Sequence, residues 1–389
     1  MRTTMATENN NKTLNVPNLR FPEFSGEWTK TLLNNYLEEN KERNKRGIFT
    51  KNHVLSVSGD FGIVNQIELL GRSFAGKSVL DYHVVRTGNI VYTKSPLKEY
   101  PYGIVKVNGG VDGIVSTLYA VYKVKETANG KFVEYYFGLP NRTNRYFKPI
   151  VRIGAKHDMK IGNDEVLANY VVFPCVDEQK RISDFICLLD ERIATQIKII
   201  EKLESLIKGL YERLFNIDGA AYIQLGNVAK IQKGQQINGE ELSEIGSYYV
   251  MNGGVVPSGY LEDFNTPANT ISISEGGNSC GYVQYNGVPF WSGGHCYTLI
   301  EPINSFNYKY LFHYLKFKEQ SIMALRIGSG LPNIQKKDLE RFPILNVSKE
   351  EQDKMACIFD DILDRIICER QIALKYEEQK RYLLSNLFI

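Results

Sequence analysis

The sequence has few of the features that mark disulfide-linked, zinc-binding or membrane proteins. Its six cysteines include no Cys-x-x-Cys pair, so neither a zinc ribbon nor a disulfide framework is indicated, and we expect reduced, mostly buried thiols. No apolar run approaches the roughly 18 to 20 residues that a membrane helix requires. The polar start MRTTMATENNNKTLN lacks the apolar stretch of a secretory signal, so a cytoplasmic location is expected.

A strong excess of one charge sign is also missing from the chain as a whole. The 389 residues have a net charge of +3, but residues 1–172 hold 24 Lys and Arg against 16 Asp and Glu. Such a local basic surplus is typical of a segment that binds a polyanion. Residues 217–347 hold 9 against 11, so charge indicates a polyanionic partner only for the first part of the chain.

The chain contains an internal repeat. The segment FPCVDEQKRISDFICLLDERI (173–193) has a counterpart in FPILNVSKEEQDKMACIFDDILDRI (342–366), and each passes from Phe-Pro through Glu-Gln into a helical pattern. Gln179 and Gln352 are 173 positions apart, and the triplet Arg-Ile-Gly at 152–154 recurs at 326–328. Strand-like runs, such as NIVYTK (89–94) and TISIS (270–274), precede each helical pattern. Two copies of a β-rich globule followed by a helix are therefore predicted.

The first helical segment has a heptad pattern. Isoleucine or leucine occurs at every seventh position, at Ile186, Ile193, Ile200, Ile207 and Leu214, with Gln196 as the one polar residue in the seam. The second segment is less regular: Phe359, Ile362, Ile366, Tyr376, Leu383 and Leu387 share a face that Glu369 and Lys380 interrupt. We predict that the two helices pair with each other, and a homodimeric coiled coil is the alternative.

These patterns predict five segments: a polar tail (1–18), a first globule (19–172), a central helix (173–216), a second globule (217–341) and a distal helix (342–389). A helix of about 38 residues is on the order of 55 Å long. That length is enough to hold two globules about one turn of DNA, ~34 Å, apart.

The sequence resembles the specificity subunits of type I restriction–modification systems. The resemblance rests on LRFPEFSGEW (19–28), the two Phe-Pro to Glu-Gln junctions, RIGSGLPNIQKKDLERFPI (326–344) and the order of globules and helices. It implies an α+β fold with two target recognition domains of mixed α/β type, separated by two long antiparallel coiled-coil helices in a pseudo-twofold internal repeat. The first half departs from the pattern, because RIGAKHDMKIG (152–162) lacks the Gly-Leu-Pro-Asn turn.

The resemblance also implies a function without catalysis by this chain. Each recognition domain would read one half of a bipartite site in double-stranded DNA. The helices would set the spacing and dock two modification subunits, which bind S-adenosylmethionine and methylate adenine. Restriction subunits, which use ATP and Mg, would complete the complex, and no cofactor is expected on this chain.

Residue chemistry selects the candidates for DNA contact, because base edges are bound by Arg, Lys, Asn, Gln or Glu and phosphates by Lys, Arg, Ser and backbone amides. Each candidate has a solvated surface group as its alternative. In the first domain the candidates are Lys94, Arg142, Arg145, Lys148, Arg152 and Lys156. In the second they are Ser274, Glu275, Asn278, Lys316, Lys318, Arg326, Ser329, Asn333, Lys336 and Lys337.

Repeated polar residues at equivalent helix positions are candidates for binding two copies of a partner: Glu178, Gln179 and Arg192, with Glu351, Gln352 and Arg365. The alternative is that Glu-Gln simply opens each helix beside its N-terminal dipole. His295 lies next to Cys296 but has no further ligand at a usable spacing, so a packed core histidine is expected there.

The sequence also contains or lacks motifs of two other classes of protein, ATPases and DNA-modifying enzymes. GRSFAGKS (71–78) satisfies the phosphate-loop pattern, but the β-branched residues after it do not predict the firm helix that such a loop precedes, so we interpret the match as fortuitous. The sequence lacks the Asp/Asn-Pro-Pro-aromatic tetrapeptide of adenine methyltransferases, which argues against a self-sufficient modifying enzyme. A coiled-coil adaptor that does not bind DNA is the remaining alternative.

Overall fold

A computed structural model describes residues 2–3, 14–97, 99–153, 159–328, 330 and 332–389. The chain divides into two compact units, one formed by residues 1–195 and 373–389 and the other by residues 196–372. Within the described part of the chain, no helix combines the length and the apolar character needed to cross a lipid bilayer.

Within the described residues, the first unit contains short strands, short α-helices, the beginning of one long helix and the end of another. Its strands are β1 (Arg2–Thr3), β2 (Leu19–Arg20), β3 (Thr29–Leu32), β4 (Leu37–Glu39), β5 (Leu55–Ser58), β6 (Gly62–Asn65), β7 (His83–Val85), β8 (Ile90–Thr93), β9 (Val105–Val107), β10 (Gly113–Val115), β11 (Tyr119–Val124), β12 (Arg152–Ile153), β13 (Met159–Lys160) and β14 (Tyr170–Phe173). Its helices are α1 (Gln66–Leu70), α2 (Gly130–Tyr136), α3 (Pro140–Phe147) and the first part of α4 (Val176–Phe215).

The second unit continues with the end of α4 and the start of the last helix. Its strands are β15 (Tyr222–Gln224), β16 (Lys230–Lys233), β17 (Tyr248–Met251), β18 (Tyr260–Leu261), β19 (Thr270–Ser274), β20 (Val283–Asn286), β21 (Trp291–Ser292), β22 (Cys296–Ile300) and β23 (Pro343–Leu345). Its helices are α5 (Leu225–Val228), α6 (Tyr308–Phe317), α7 (Glu319–Met323), α8 (Lys336–Glu340) and α9 (Lys349–Asn386).

The two units repeat one sheet topology, which confirms the predicted internal repeat. In the first, a four-stranded antiparallel sheet has the order β4-β11-β8-β9, and β3 pairs with β14. In the second, the corresponding order is β16-β22-β19-β20, and β15 pairs with β23. The predicted strand-like runs 89–94 and 270–274 are the equivalent strands β8 and β19.

Each unit buries aromatic residues between its sheet and its parts of the long helices. In the first, the ring of Phe132 on α2 lies 5.0 Å from that of Phe173 on β14 and 5.0 Å from that of Phe388 after α9. In the second, Tyr211 on α4 lies 4.6 Å from Phe359 on α9, ring to ring. Burying rings of this size supplies much of the apolar stabilisation of such cores.

The long helices are antiparallel, as predicted. In the first unit, Ile186 near the start of α4 and Leu387 just past the end of α9 belong to one apolar cluster. In the second, Ile207 in the later part of α4 and Phe359 near the start of α9 belong to another. The helices begin at 176 and 349, later than predicted, because strand β14 still includes Phe173 and strand β23 occupies Pro343–Leu345.

The cysteines differ from the expectation. Cys280 and Cys296 are buried, but Cys175, Cys357 and Cys368 are exposed. The prediction of mostly buried thiols is therefore wrong, because these three lie on, or just before, long helices whose outer faces meet solvent.

Candidate nucleic-acid interface

In the second unit, one edge of the four-stranded sheet gathers several loops. Because its neighbouring strands are antiparallel, the ends of β16 and β19 lie at the same edge as the start of β22. The end of β17 joins them through the bridge from Gln235 to Gly293 and the bond from Gly293 N to Met251 O, 2.9 Å long. We call residues 233–236, 251–254, 274–277 and 292–295 the loop cluster.

Glycines allow these loops to approach closely. A Cβ on Gly234 would lie 2.3 Å from the backbone oxygen of Gly293, and Gly253 has a φ of +83° while its Cβ position lies 3.2 Å from atoms of Gly276 and His295. Side chains at these positions would push the loops apart, and an L residue at Gly253 would also be strained. Close approach of the backbone at Gly234 and a positive φ at Gly253 thus explain why these two positions of the loop cluster are glycines.

Glu275 is the central charged residue of the loop cluster. Its carboxylate Oε1 accepts hydrogen bonds from Lys233 Nζ at 2.6 Å and from the Tyr297 hydroxyl at 3.2 Å. Its backbone nitrogen donates to His295 O at 2.9 Å, and its backbone oxygen accepts from Ile334 N at 2.9 Å. The residue is only 9% exposed, so its predicted role as a direct DNA contact is corrected: the carboxylate is used inside the domain.

Some predicted residues of the second domain are brought to the loop cluster. Asn333 forms backbone bridges with Gly276 and with Ile327, so the exposed Arg326 lies beside it. Ser274 also lies here, but it is buried and its hydroxyl donates to the Gly253 carbonyl at 2.6 Å. Its prediction as a DNA contact is corrected for that reason, and Ser329 lies outside the described residues.

The other predicted residues of the second domain lie elsewhere. Lys316 is half-buried, and its Nζ donates to Val283 O at 3.1 Å and to Glu319 Oε2 at 2.6 Å. Lys318 Nζ donates to Asn216 Oδ1 at 3.4 Å. Asn278, Lys336 and Lys337 are exposed. For these five candidates, contact with DNA remains a prediction.

In the first unit, Arg142 is buried, so its prediction as a DNA contact is corrected. Arg142 is 8% exposed, and its guanidinium donates to Tyr136 O at 3.1 Å and to Leu384 O at 3.2 Å. It also lies 5.2 Å from the centre of the Phe388 ring. Burial lowers the pKa of Arg142 to about 10. The side chain fastens α3 to the end of α9 and is inaccessible to DNA.

The remaining candidates of the first unit differ in exposure. Lys94 is half-buried and donates to Ile161 O at 2.9 Å and to Asn163 Oδ1 at 2.6 Å. Arg152 is exposed and pairs with Glu165 at 3.0 Å. Arg145 and Lys148 are exposed, and Lys156 lies outside the described residues.

The two Glu-Gln junctions form equivalent structural connections. Gln179 Oε1 accepts from the backbone nitrogen of Asn129 at 2.9 Å, and Gln352 Oε1 accepts from that of Asn307 at 2.7 Å. Asn129 and Asn307 cap α2 and α6. Both glutamines are at most 1% exposed, so their predicted partner contact is corrected: they join each long helix to its own globule.

Glu178 is buried in the same way. Its carboxylate accepts from Arg20 Nη2 at 2.7 Å and from Trp28 Nε1 at 3.3 Å. The LRFPEFSGEW segment thus closes over the start of α4, and the predicted docking role of Glu178 is corrected because it is 1% exposed. Arg192, Glu351 and Arg365 are exposed and stay predictions for partner binding.

The fold shows the surroundings of the phosphate-loop match at 71–78 and of His295. The segment 71–78 follows helix α1 and precedes strand β7, which is the reverse of the strand and helix that a phosphate loop needs. His295 has a side chain that is 59% exposed, so the expectation of a packed core histidine is wrong; it lies in a surface loop before β22. Among the described residues, no three His, Cys, Asp or Glu side chains are grouped to hold a metal ion.

The sequence did not indicate that Lys233 and His295 lie beside the carboxylate of Glu275. Lys233 at the end of β16 and His295 before β22 lie about 60 positions apart in the chain. Only the pairing of β16 with β22 brings them together. The dense glycines around both residues were a usable signal for a close loop cluster.

The architecture is a duplicated α+β plan in which each sheet is attached to a pair of long antiparallel helices. Residues 218–377 match the family described as type I restriction modification DNA specificity domain. The resemblance to type I specificity subunits that the sequence indicated is thereby confirmed.

Individual proteins show the same similarity. A protein of Mycoplasma pneumoniae named as a type I specificity subunit is 37% identical over 122 residues, which span 31% of this chain and 32% of that protein. A similarly named protein of Mycoplasma genitalium is 32% identical over 163 residues, 40% of this chain and 42% of the other. The aligned parts therefore span well under half of these relatives.

Solved structures share the fold over nearly the whole chain. The S subunit of a type I restriction–modification system from M. genitalium covers 96% of this chain and 99% of its own, with a TM-score of 0.67 at 18% identity. A chain from a structural study of type I complex assembly and conformational transition covers 93% and 97%, with a TM-score of 0.52 at 16% identity.

Proposed function

We propose that this chain is the DNA-reading subunit of a type I restriction–modification complex and performs no catalysis itself. Each unit reads one half of a bipartite site in double-stranded DNA, and the paired helices set the gap between the halves. The main support is the duplication: the same sheet order occurs twice, and in each unit an equivalent glutamine, Gln179 or Gln352, joins the long helix to the N-cap of a short helix.

The surfaces of the long helices dock two modification subunits in this proposal. Arg192 and Arg365 occupy equivalent positions of the repeat and are both exposed, so a pair of equivalent contacts is available. The modification subunits bind S-adenosylmethionine, and restriction subunits supply ATP- and Mg-dependent cleavage. The complex acts on DNA in the cytoplasm.

The test uses complexes purified from cells through a tag on the full chain. Selection from a randomised duplex library should enrich one split motif with a constant gap, and methylome sequencing should find adenine methylation in the same motif only in cells that contain the chain. Enrichment of no sequence would contradict DNA reading. Methyl transfer by the chain alone would instead identify a self-sufficient enzyme.

A further inference from the structure

The carboxylate of Glu275 is buried, but the basic groups around it are exposed. Lys233 and His295 have side chains that are 52% and 59% exposed, whereas that of Glu275 is 12% exposed. Lys233 Nζ bonds Oε1 at 2.6 Å, and His295 Nδ1 lies 3.6 Å from Oε2. One interior acceptor thus faces two donors at the domain surface.

The second carboxylate oxygen is available for His295. Glu275 Oε2 is buried and has no hydrogen-bond partner among the described residues. An ionised carboxylate only accepts hydrogen bonds, and leaving one of its buried oxygens unpaired is costly. A small rotation of the imidazole would let Nδ1 donate to Oε2, and in the imidazolium form, where both ring nitrogens carry a proton, Nε2 would then be a second donor with a fixed direction.

Glycines and exposed valines border this group. The nearest neighbours of His295 include Gly253 and Gly276, and a Cβ on Gly276 would lie 3.8 Å from Nδ1 of the imidazole. Val255 and Val256, in the loop that follows Gly253 and Gly254, are exposed. Because the side chains of Lys233 and His295 are both more than half exposed, a ligand at the domain surface can reach them.

We propose that Glu275 is a positioning residue that holds Lys233 and His295 as hydrogen-bond donors to acceptor atoms of a DNA duplex. This inference rests on the proposed function. The acceptors are guanine N7 and O6 or phosphate oxygens, which share the same chemistry. Guanine is the expected source, because Glu275 offsets the charge of Lys233, which reduces its attraction for phosphate but keeps its direction fixed.

The experiment compares Lys233→Ala and His295→Ala with Lys230→Ala in the tagged full chain. Lys230 is a matched control, because it lies at the other end of β16 with a side chain that is 59% exposed. A randomised duplex library serves as the probe, followed by binding to the enriched duplex and its single-base variants over a series of salt concentrations.

A guanine contact predicts that Lys233→Ala lowers discrimination at one G·C pair by about 10- to 100-fold while the other positions are unchanged. A phosphate contact predicts weaker binding to every sequence and a salt slope reduced by about one. Either result supports donation to DNA. Binding and specificity equal to those of Lys230→Ala, for both variants, would overturn the inference.

The positioning role is tested with Glu275→Gln, which removes the charge but retains a side-chain oxygen. We expect the same loss of discrimination as in Lys233→Ala and little further loss in the double variant, because the two residues act as one unit. A lower melting temperature with unchanged discrimination would overturn positioning. If the unaltered chain enriches no motif, the proposed function fails as well; if it does and the variants match it, only this inference fails.

Discussion

Arg142 is a charged side chain in the interior of the first unit, where it lies against the Phe388 ring and donates to two backbone oxygens. The sequence marked it and Arg145 as equal candidates, because residue type does not reveal which face of a short helix is buried. The distinction comes from packing of α3 against the end of α9, more than 230 positions away.

Arg142→Ala should destabilise the protein by about 2–3 kcal/mol, because it leaves carbonyl groups unpaired and removes cation–π contacts. Arg145→Ala, at an exposed position on the same helix, should change the free energy of unfolding by less than about 0.5 kcal/mol. Denaturant unfolding of both variants measures this. Weaker DNA binding by Arg142→Ala at unchanged stability would restore Arg142 as a DNA contact.

His313 is a second buried polar residue, located in the second unit. Its Nε2 lies 3.0 Å from Asp360 Oδ1 and donates to it, so Nδ1 accepts from the Tyr211 hydroxyl at 2.8 Å. This arrangement links α4, α6 and α9 through a neutral imidazole. Burial lowers the pKa of His313 to about 4.

The lowered pKa makes stability depend on pH. Below about pH 6.5 the unfolded chain takes up a proton that the folded chain refuses, so stability is complete above that pH and is lost as pH falls towards 4, by up to about 3 kcal/mol. His313→Gln should reduce the pH dependence of the free energy of unfolding in this window and leave the part contributed by His83, because burial also lowers the pKa of His83 to about 4. His53→Gln, at an exposed site in the first unit, is the control, and equal slopes in both variants would contradict the assignment.

At the scale of elements, the helix pair contains a polar contact between equivalent positions of the repeat. Gln196 and Glu369 are 173 positions apart, and Gln196 Nε2 donates to the backbone oxygen of Glu369 at 3.2 Å and to its carboxylate. Both residues are at most 7% exposed. The sequence identified each of them separately as a polar interruption of an apolar seam. Only the antiparallel pairing of the helices shows that the two polar side chains contact each other.

Glu369→Leu should destabilise the second unit by about 1–3 kcal/mol, because the buried amide of Gln196 then loses its carboxylate acceptor and keeps only the backbone oxygen. Adding Gln196→Leu should recover most of that loss, since replacing both partners by apolar groups can be nearly neutral. A double-mutant cycle from denaturant unfolding measures the coupling. Additive losses would show that the two side chains do not depend on each other.

Elements that are determined by their own sequence pattern could be predicted, whereas elements that depend on a distant partner could not. The seven-residue period predicted a helix over 173–216, and α4 occupies Val176–Phe215. Strand β23 was missed, because three residues show no period and their partner β15 lies about 120 positions earlier. The loop cluster could not be assembled from the sequence for the same reason, although its glycines were visible.

At the scale of the whole molecule, the proposed function makes the helix pair a spacer between two reading units. Because the helices are antiparallel, lengthening requires a heptad inserted in both, at the level of Gln196 in α4 and Glu369 in α9. Each heptad adds about 10 Å of helix, and one base pair rises ~3.4 Å, so the gap between half-sites should grow by about three base pairs.

The bases of each half-site should stay the same, because the insertions leave both sheets and their loops untouched. Methylome sequencing or duplex selection measures the motif. A variant in which one of the two inserted heptads consists of polar residues is the control for loss of helix pairing. If the gap stays constant while the enlarged helices remain paired, the helices do not determine spacing, and the separation must be fixed by the subunits that hold the complex together.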